Sequence, residues 1–148
     1  MIEFFVPGTP QPGGSKRAFF NPKTKRAQVV EACKGNPAWR SDVKAFALAA
    51  YDGPLIGGPL YLVVEFVMAR PKGHFGSGKN AQVLKPSAPP YPTSKPDTTK
   101  LLRTLEDALT GIVWVDDAQV VRQEVFKLYA DGRRIGAYVR VGRMGRGE

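Results

Sequence analysis

Hydrophobic positions along this chain follow two periods, and each period marks an element. Leu60, Leu62, Val64, Phe66 and Met68 alternate with Tyr61, Val63 and Val67 in a nearly unbroken run of β-formers, which predicts a central strand covered on both faces. Residues 2–6 form a shorter apolar run closed by Pro7-Gly8, a second strand. Trp39, Val43, Phe46 and Ala50 recur at helical spacing after Asn36-Pro37, the pattern of an N-cap with proline at the first helical position. This helix ends near Gly53-Pro54. Leu101, Leu102, Leu105, Ala108 and Leu109 fall within an arc of about 120° on a second helix, which opens at Pro96 with Asp97 or Thr98 as cap and closes at Gly111. Residues 120–130 read as a strand whose alternation slips near Phe126 and Leu128, as a bulge would make it. Asp131-Gly132 is a hairpin-turn signal, and Ile135, Ala137, Val139 and Val141 then alternate with Arg134, Tyr138 and Arg140 in a last strand. The expected fold is α+β: one compact domain over residues 1–148, with a mixed sheet of about four to five strands and two main helices packed on it.

Between these elements lie two segments without periodicity. Residues 7–28 are rich in proline, glycine and basic side chains and read as a loop or hairpin. Residues 70–96 hold too many prolines for regular structure, and a loop of that length in a compact domain is usually functional or disordered. Residues 142–148 form a basic tail.

Composition changes this picture in one direction. The chain has 22 Lys and Arg against 13 Asp and Glu, a formal charge of +9, and such a field concentrates polyanions. No apolar run approaches the ~20 residues of a spanning helix, and the N-terminus lacks the charged start and length of a secretory signal. A cytoplasmic protein without a membrane partner is expected. The single Cys33 allows neither an intrachain disulfide nor a thiolate zinc cluster. His74 is the only histidine, which excludes multi-histidine zinc sites. Gly-Ser-Gly-Lys at 76–79 has the wrong spacing for a phosphate loop.

Carboxylates at the mouth of the second helix supply the candidate chemistry. From Asp97 to Leu109 a helix rises roughly 18 Å, and residues 112–117, if extended, return about 20 Å. A return strand of that length predicts that Asp116 or Asp117 comes back beside Asp97, so that the two share a divalent ion. Asp107, roughly 15 Å along the helix, is then a salt-bridge partner for Arg103.

Lys95-Pro96-Asp97, Leu105-Glu106-Asp107-Ala108-Leu109-Thr110 and Trp114-Val115-Asp116-Asp117-Ala118-Gln119-Val120-Val121 together resemble the RusA family of Holliday-junction resolvases, common in phages and prophages. The resemblance implies catalytic roles for Asp97, Asp117, Arg103 and Lys100, with Asp97, Asp117 and Asp116 around Mg²⁺ (Mn²⁺ as substitute). One departure carries weight: Thr99 stands where the family has a second aspartate, and Lys100 where asparagine is usual. Two carboxylates, water and a phosphate oxygen still make up a magnesium shell, at lower affinity. What the resemblance implies is paired hydrolysis of branched DNA in recombination and repair by a homodimer, because two like nicks call for two sites about a two-fold axis. The competing reading is a junction or single-strand binding protein that has lost its metal site. Lys16, Arg17, Lys23, Lys25, Arg26, Arg70, Lys72, Lys79, Lys85 and Lys95 are the expected DNA contacts, with Phe19, Phe20, His74, Phe75 and Tyr91 interspersed as candidate stacking side chains.

Overall fold

The computed structural model describes residues 1–14, 16–31 and 33–146, with residues 16–19 and 29–31 described by backbone alone. Its elements are strands β1 (Ile2–Pro7), β2 (Lys16–Asn21) and β3 (Arg26–Glu31), helix α1 (Asn36–Ala50), strand β4 (Leu60–Met68), helix α2 (Thr98–Leu109), and strands β5 (Val120–Tyr129) and β6 (Gly136–Arg143). Four strands form a mixed sheet in the order β1-β6-β4-β5, and β2 and β3 pair as a separate hairpin. β4 runs parallel to β5 and antiparallel to β6, so α2 is the crossover between two parallel neighbours. Among the described residues no helix is long and apolar enough to cross a membrane.

Both helices pack on one face of this sheet. Leu60, Leu62, Val64 and Phe66 of β4 meet Leu101, Leu105, Ala108 and Leu109 of α2 and Trp39, Val43 and Ala47 of α1 in one core. The α2 face is the one its periodicity predicted. On α1 the buried stripe is 39, 43 and 47, and Phe46 stands 41% exposed, because α1 meets α2 and β1 along the i, i+4 row rather than along the i+3 position. Asn36 is not the cap. Its side chain is buried and its Nδ2 donates to Pro12 O at 3.0 Å and Thr104 Oγ1 at 2.8 Å, tying the segment after β1 to both helices.

Other expectations change for identifiable reasons. β4 is central, with Leu60, Leu62, Val64 and Phe66 buried on its helix-facing side; on the other side Val67 is buried but Tyr61, Val63 and Glu65 are half-exposed. The β5 irregularity lies at Val121, where pairing steps from Leu60↔Val120 to Tyr61↔Arg122, and not at Phe126. Asp131 and Gly132 both take positive φ, as a tight turn requires. Yet the strands they join are not partners, since β6 inserts between β1 and β4 and the turn carries the chain over the end of β4.

Residues 112–117 do not form a return strand. Gly111, with φ +86°, lets the chain fold back at once: Ile112 and Val113 N–H donate to Leu109 O, and Gly111 N–H donates to Trp114 O. Trp114 is fully buried, and Asp116 caps a single turn of 3₁₀ helix at Asp117–Gln119.

Arg70 proves structural. Its side chain is 5% exposed, forks onto the Asp131 carboxylate at 2.6 and 3.0 Å, donates to Pro89 O at 2.7 Å and lies over the Tyr129 ring. The Asp131 carboxyl is accordingly held below its ordinary value by the Arg70 hydrogen bonds and charge. These contacts pin the start of the 70–96 segment to the sheet, and Lys127 Nζ pins its end by donating to Ser94 O and Pro96 O.

Candidate active site

The polar side of α2 faces a cleft. At 100° per residue, Thr99, Arg103, Glu106 and Asp107 share one stripe, opposite the leucines that enter the core. With Leu102, Arg40 of α1, Gly14, Asp117 and Gln123 of β5, they line a cavity of about 490 Å³. Gly14 takes a φ of +83°, which glycine adopts without strain, and without a Cβ it leaves room for the Arg103 side chain beside the loop. Gly13 N–H fixes the same loop to Lys100 O at 2.9 Å.

Asp117 reaches this cleft through a hub the sequence pattern did not announce. Gln119 Nε2 donates to Ile56 O and Gly58 O, while its Oε1 accepts from Val115 and Asp116 N–H, all at 2.9–3.0 Å. One amide thereby locks the turn bearing Asp116 and Asp117 to the chain leading into β4.

Acidic groups crowd together here. Glu106 is half-buried, and burial pushes its carboxyl above the ordinary value; Asp117 and Asp107 add to the shift, and Gln123 Nε2, donating to Glu106 Oε1 at 2.9 Å, opposes it. Asp117 is also raised, first by the shared hydrogen bond with the Asp116 carboxyl, then by partial desolvation and the charges of Asp116 and Asp107. Among the described residues none of Asp97, Glu106, Asp107, Asp116 and Asp117 forms an ion pair with a lysine or arginine. Glu106, Asp107 and Asp117 border one cleft, and carboxylates without an ion-pair partner there favour an external cation.

The residues fit a hard divalent ion in donor type, since oxygen is all they offer. They do not make a finished cage: among the described residues no three acidic, histidine or cysteine side chains gather as a ligating group. Water and a DNA phosphate would have to complete the shell.

The sequence-predicted residues divide accordingly. Asp117, Arg103 and Thr99 line the cleft. Asp97 does not; it is exposed and caps α2, accepting from Lys100 N–H at 3.3 Å. Lys100 is exposed on the first turn. Asp107 borders the cleft instead of pairing with Arg103, because the immediate turn after α2 keeps Asp117 by the helix's later turns. Glu106, Asp107, Arg40, Gln119 and Gln123 were missed as site residues. The helical stripe 99-103-106-107 was a signal for Glu106 and Asp107; nothing local in the sequence marked Arg40, Gln119 or Gln123.

Among the basic residues, Lys23, Lys25 and Arg26 are exposed around the β2–β3 turn, and Lys72, Lys79, Lys85 and Lys95 are exposed on the 70–96 segment. The side chains of Lys16, Arg17 and Phe19 lie outside the described residues. Phe20 and Tyr91 are 64% and 61% exposed. His74 is engaged, against Arg70 and edge-on to Tyr129.

The two roles open to Asp97 separate by substitution. Asn caps a helix about as well as Asp, so Asp97→Asn leaves the thermal midpoint nearly unchanged, whereas Asp97→Ala costs about 1 kcal/mol. If Asp97 serves only as a cap, DNA cleavage by the Asn variant equals wild type; a large loss with an unchanged midpoint identifies a catalytic charge.

Comparison with known proteins identifies the family. The family described as endodeoxyribonuclease RusA matches residues 7–141, and the chain belongs to that family. It is also similar to an uncharacterized protein, YqaN, of Bacillus subtilis (strain 168), with 30% identity over 86 residues, or 58% of this chain and 60% of that protein. The matched region therefore spans less than two thirds of the relative's length.

Proposed function

We propose that this member of the RusA endodeoxyribonuclease family is a divalent-metal-dependent nuclease that resolves four-way DNA junctions in recombination and repair, acting in the cytoplasm as one domain over residues 1–148. The observation that carries the reading is the cleft in which Asp117, Glu106 and Asp107 stand near the cations Arg103 and Arg40 without forming ion pairs with them. A site for phosphodiester hydrolysis needs that mixture: anions to hold a metal ion and accept a proton, and cations to neutralise the phosphate.

Asp117 with Asp116 beside it, and Asp97 at the family's first acidic position, are the residues assigned to the ion. Mg²⁺, or Mn²⁺ in its place, supplies Lewis-acid stabilisation of the charge on the phosphate oxygens when bound. The chain's own groups do the rest. Arg103, beside Gly14, and Arg40 across the cleft bind non-bridging oxygens and strengthen as charge develops there. Lys100 neutralises a neighbouring phosphate at the helix mouth, and the Thr99 hydroxyl donates a hydrogen bond in place of the missing carboxylate. Glu106, whose burial makes it a better proton acceptor than an ordinary carboxylate, takes the proton of the attacking water. The P–O bond to the incoming oxygen forms as the bond to the leaving strand breaks.

Lys23, Lys25 and Arg26 at the hairpin tip, Lys72, Lys79, Lys85 and Lys95 on the long segment, and Lys16 and Arg17 of β2 bind flanking phosphates, so affinity falls steeply with salt. Arg70, committed to Asp131, is removed from that set.

An end-labelled four-way junction incubated with purified protein tests the proposal. Symmetric nicks in two strands that require Mg²⁺, with linear duplex of the same sequence left intact, are the expected result. Salt-sensitive junction binding without nicking in Mg²⁺ or Mn²⁺ would overturn it in favour of a binding protein.

A further inference from the structure

The β2–β3 hairpin stands apart from the main sheet yet is rooted at the cleft. Its strands pair with each other and, among the described residues, with no strand of the four-stranded sheet. The chain enters it just after Gly14, which lines the cleft, and both flanks are tied down. Gly13 N–H donates to Lys100 O at 2.9 Å, Cys33 Sγ donates to Gln11 Oε1 at 3.3 Å, and Asn36 Nδ2 donates to Pro12 O at 3.0 Å. The six residues of β2, at ~3.3 Å each, make an arm of about 20 Å.

The two faces of this arm differ. On one, amides brace the tip: Asn21 Nδ2 donates to Gln28 Oε1 at 3.2 Å, Asn21 Oδ1 accepts from Lys23 N–H at 2.9 Å, and Lys25 N–H donates to Asn21 O at 2.8 Å. The other face carries Phe20, whose cross-strand partner is Ala27. A single methyl opposite cannot cover a phenyl ring, and Phe20 is 64% exposed, more than any other described aromatic side chain. Isolated exposed apolar side chains are common and need no ligand, but the setting of this one is specific. Residues 20–28 also carry Lys23, Lys25 and Arg26, all exposed, and no acidic group.

Cations beside an open aromatic ring are the two parts that bind nucleic acid with unstacked bases: the charges take phosphates and the ring takes a base face. Linear duplex presents its phosphates but keeps its base faces stacked, so the ring gains there only after an unstacking step that costs energy. A branch point, where stacking is interrupted, offers a base face at smaller cost. We infer that Phe20 stacks on a base exposed at the DNA branch point, which makes the hairpin the element that distinguishes branched DNA from linear duplex. This role rests on the reading of the chain as a junction nuclease and adds to it where the branch lies. The ring is at most about 20 Å along the arm from the cleft, the stacked length of roughly six nucleotides at ~3.4 Å each.

Fluorescence anisotropy of the full chain with a labelled four-way junction and with linear duplex of the same sequence, without divalent metal so that no strand is cut, tests this. Phe20→Ala weakens junction binding by about tenfold or more, leaves duplex binding and its salt dependence at wild-type values and, at an exposed position, leaves the melting midpoint unchanged. Phe20→Trp, which keeps a stacking ring, restores junction binding. Lys23→Ala instead weakens both DNAs alike and lowers the salt slope by about one. Junction binding by Phe20→Ala within about twofold of wild type overturns the inference, as does an equal loss on junction and duplex, a wild type that binds the two DNAs alike, or a wild type that prefers phosphatidylserine vesicles to the junction. Junction preference that Phe20→Ala abolishes in a protein that never nicks in Mg²⁺ sustains the role of Phe20 and removes the nuclease; unaltered junction binding by Phe20→Ala in a protein that nicks does the reverse.

Discussion

Asp117→Asn reduces single-turnover cleavage of a four-way junction by about a thousandfold or more, equivalent to roughly 4 kcal/mol of lost transition-state stabilisation, while junction binding stays close to wild type. The substitution keeps the shape of the side chain and removes its charge. Among the acidic residues lining the cleft, Asp117 is the one at a position the family resemblance assigns to metal, and its charge adds to the upward shift of the Glu106 carboxyl. The fold does not depend on it: the side chain is exposed, and the turn is held by Asp116 and Gln119. Without metal, stability moves the other way. A carboxyl raised above its ordinary value in the folded state binds protons that the unfolded chain does not, so its contribution is present at low pH and is lost as pH rises through the raised value. The Asn variant lacks that loss and melts at the wild-type temperature or above it near neutral pH. Cleavage within tenfold of wild type, or a drop in the melting midpoint large enough to explain the defect, would remove Asp117 from the catalytic set.

That opposition between function and stability also explains which features could be read from the sequence. β4 and α2 were legible because their periods are set by burial against one core, and burial is a property each residue declares for itself. Leu101, Leu105 and Leu109 enter the core where the helical arc predicts. α1 was located correctly but rotated, because Phe46 and Ala47 are both acceptable on an apolar face and only the partner helix chooses between them. Asn36 followed the same logic: its type suits a cap, but Pro12 and Thr104, distant in sequence, offered its amide better partners.

The site was legible in chemistry and not in path. Asp97 and Asp117 were picked out by residue type and spacing and Arg103 by the family resemblance, and Asp117 and Arg103 line one cleft. The distance argument that brought Asp117 back to Asp97 assumed an extended return. Gly111 and Trp114 instead reverse the chain within a few residues, which delivers Asp117 to Glu106 and Asp107. A local hydrogen-bond choice of that kind leaves no periodic trace. Gln119 and Arg70 illustrate the same limit: each is a polar residue in a polar segment, and its partners, Ile56 and Gly58 for one and Asp131 and Pro89 for the other, are roughly twenty to sixty residues away and known only once the sheet is assembled.

Trp114 joins fold and site, and its removal is the largest stability loss expected of any single side chain here. It is the largest fully buried residue, bridges backbone to Ile56 and Thr110, and donates its indole N–H to Thr110 Oγ1 at 2.9 Å. Trp114→Ala leaves a cavity under the turn that presents Asp116 and Asp117 and costs about 3–5 kcal/mol in urea unfolding, a large share of the ~5–15 kcal/mol of a typical domain. Thr110→Val separates packing from hydrogen bonding. It preserves volume, strands the buried indole N–H and costs about 1–3 kcal/mol. Both variants lower cleavage in the folded population, because the turn that Trp114 supports sets where the Asp117 carboxylate stands relative to Arg103, and errors of about 1 Å in such placement reduce rates about a hundredfold. A Trp114→Ala protein that unfolds at the wild-type urea midpoint would show that the turn holds itself without the core beneath it.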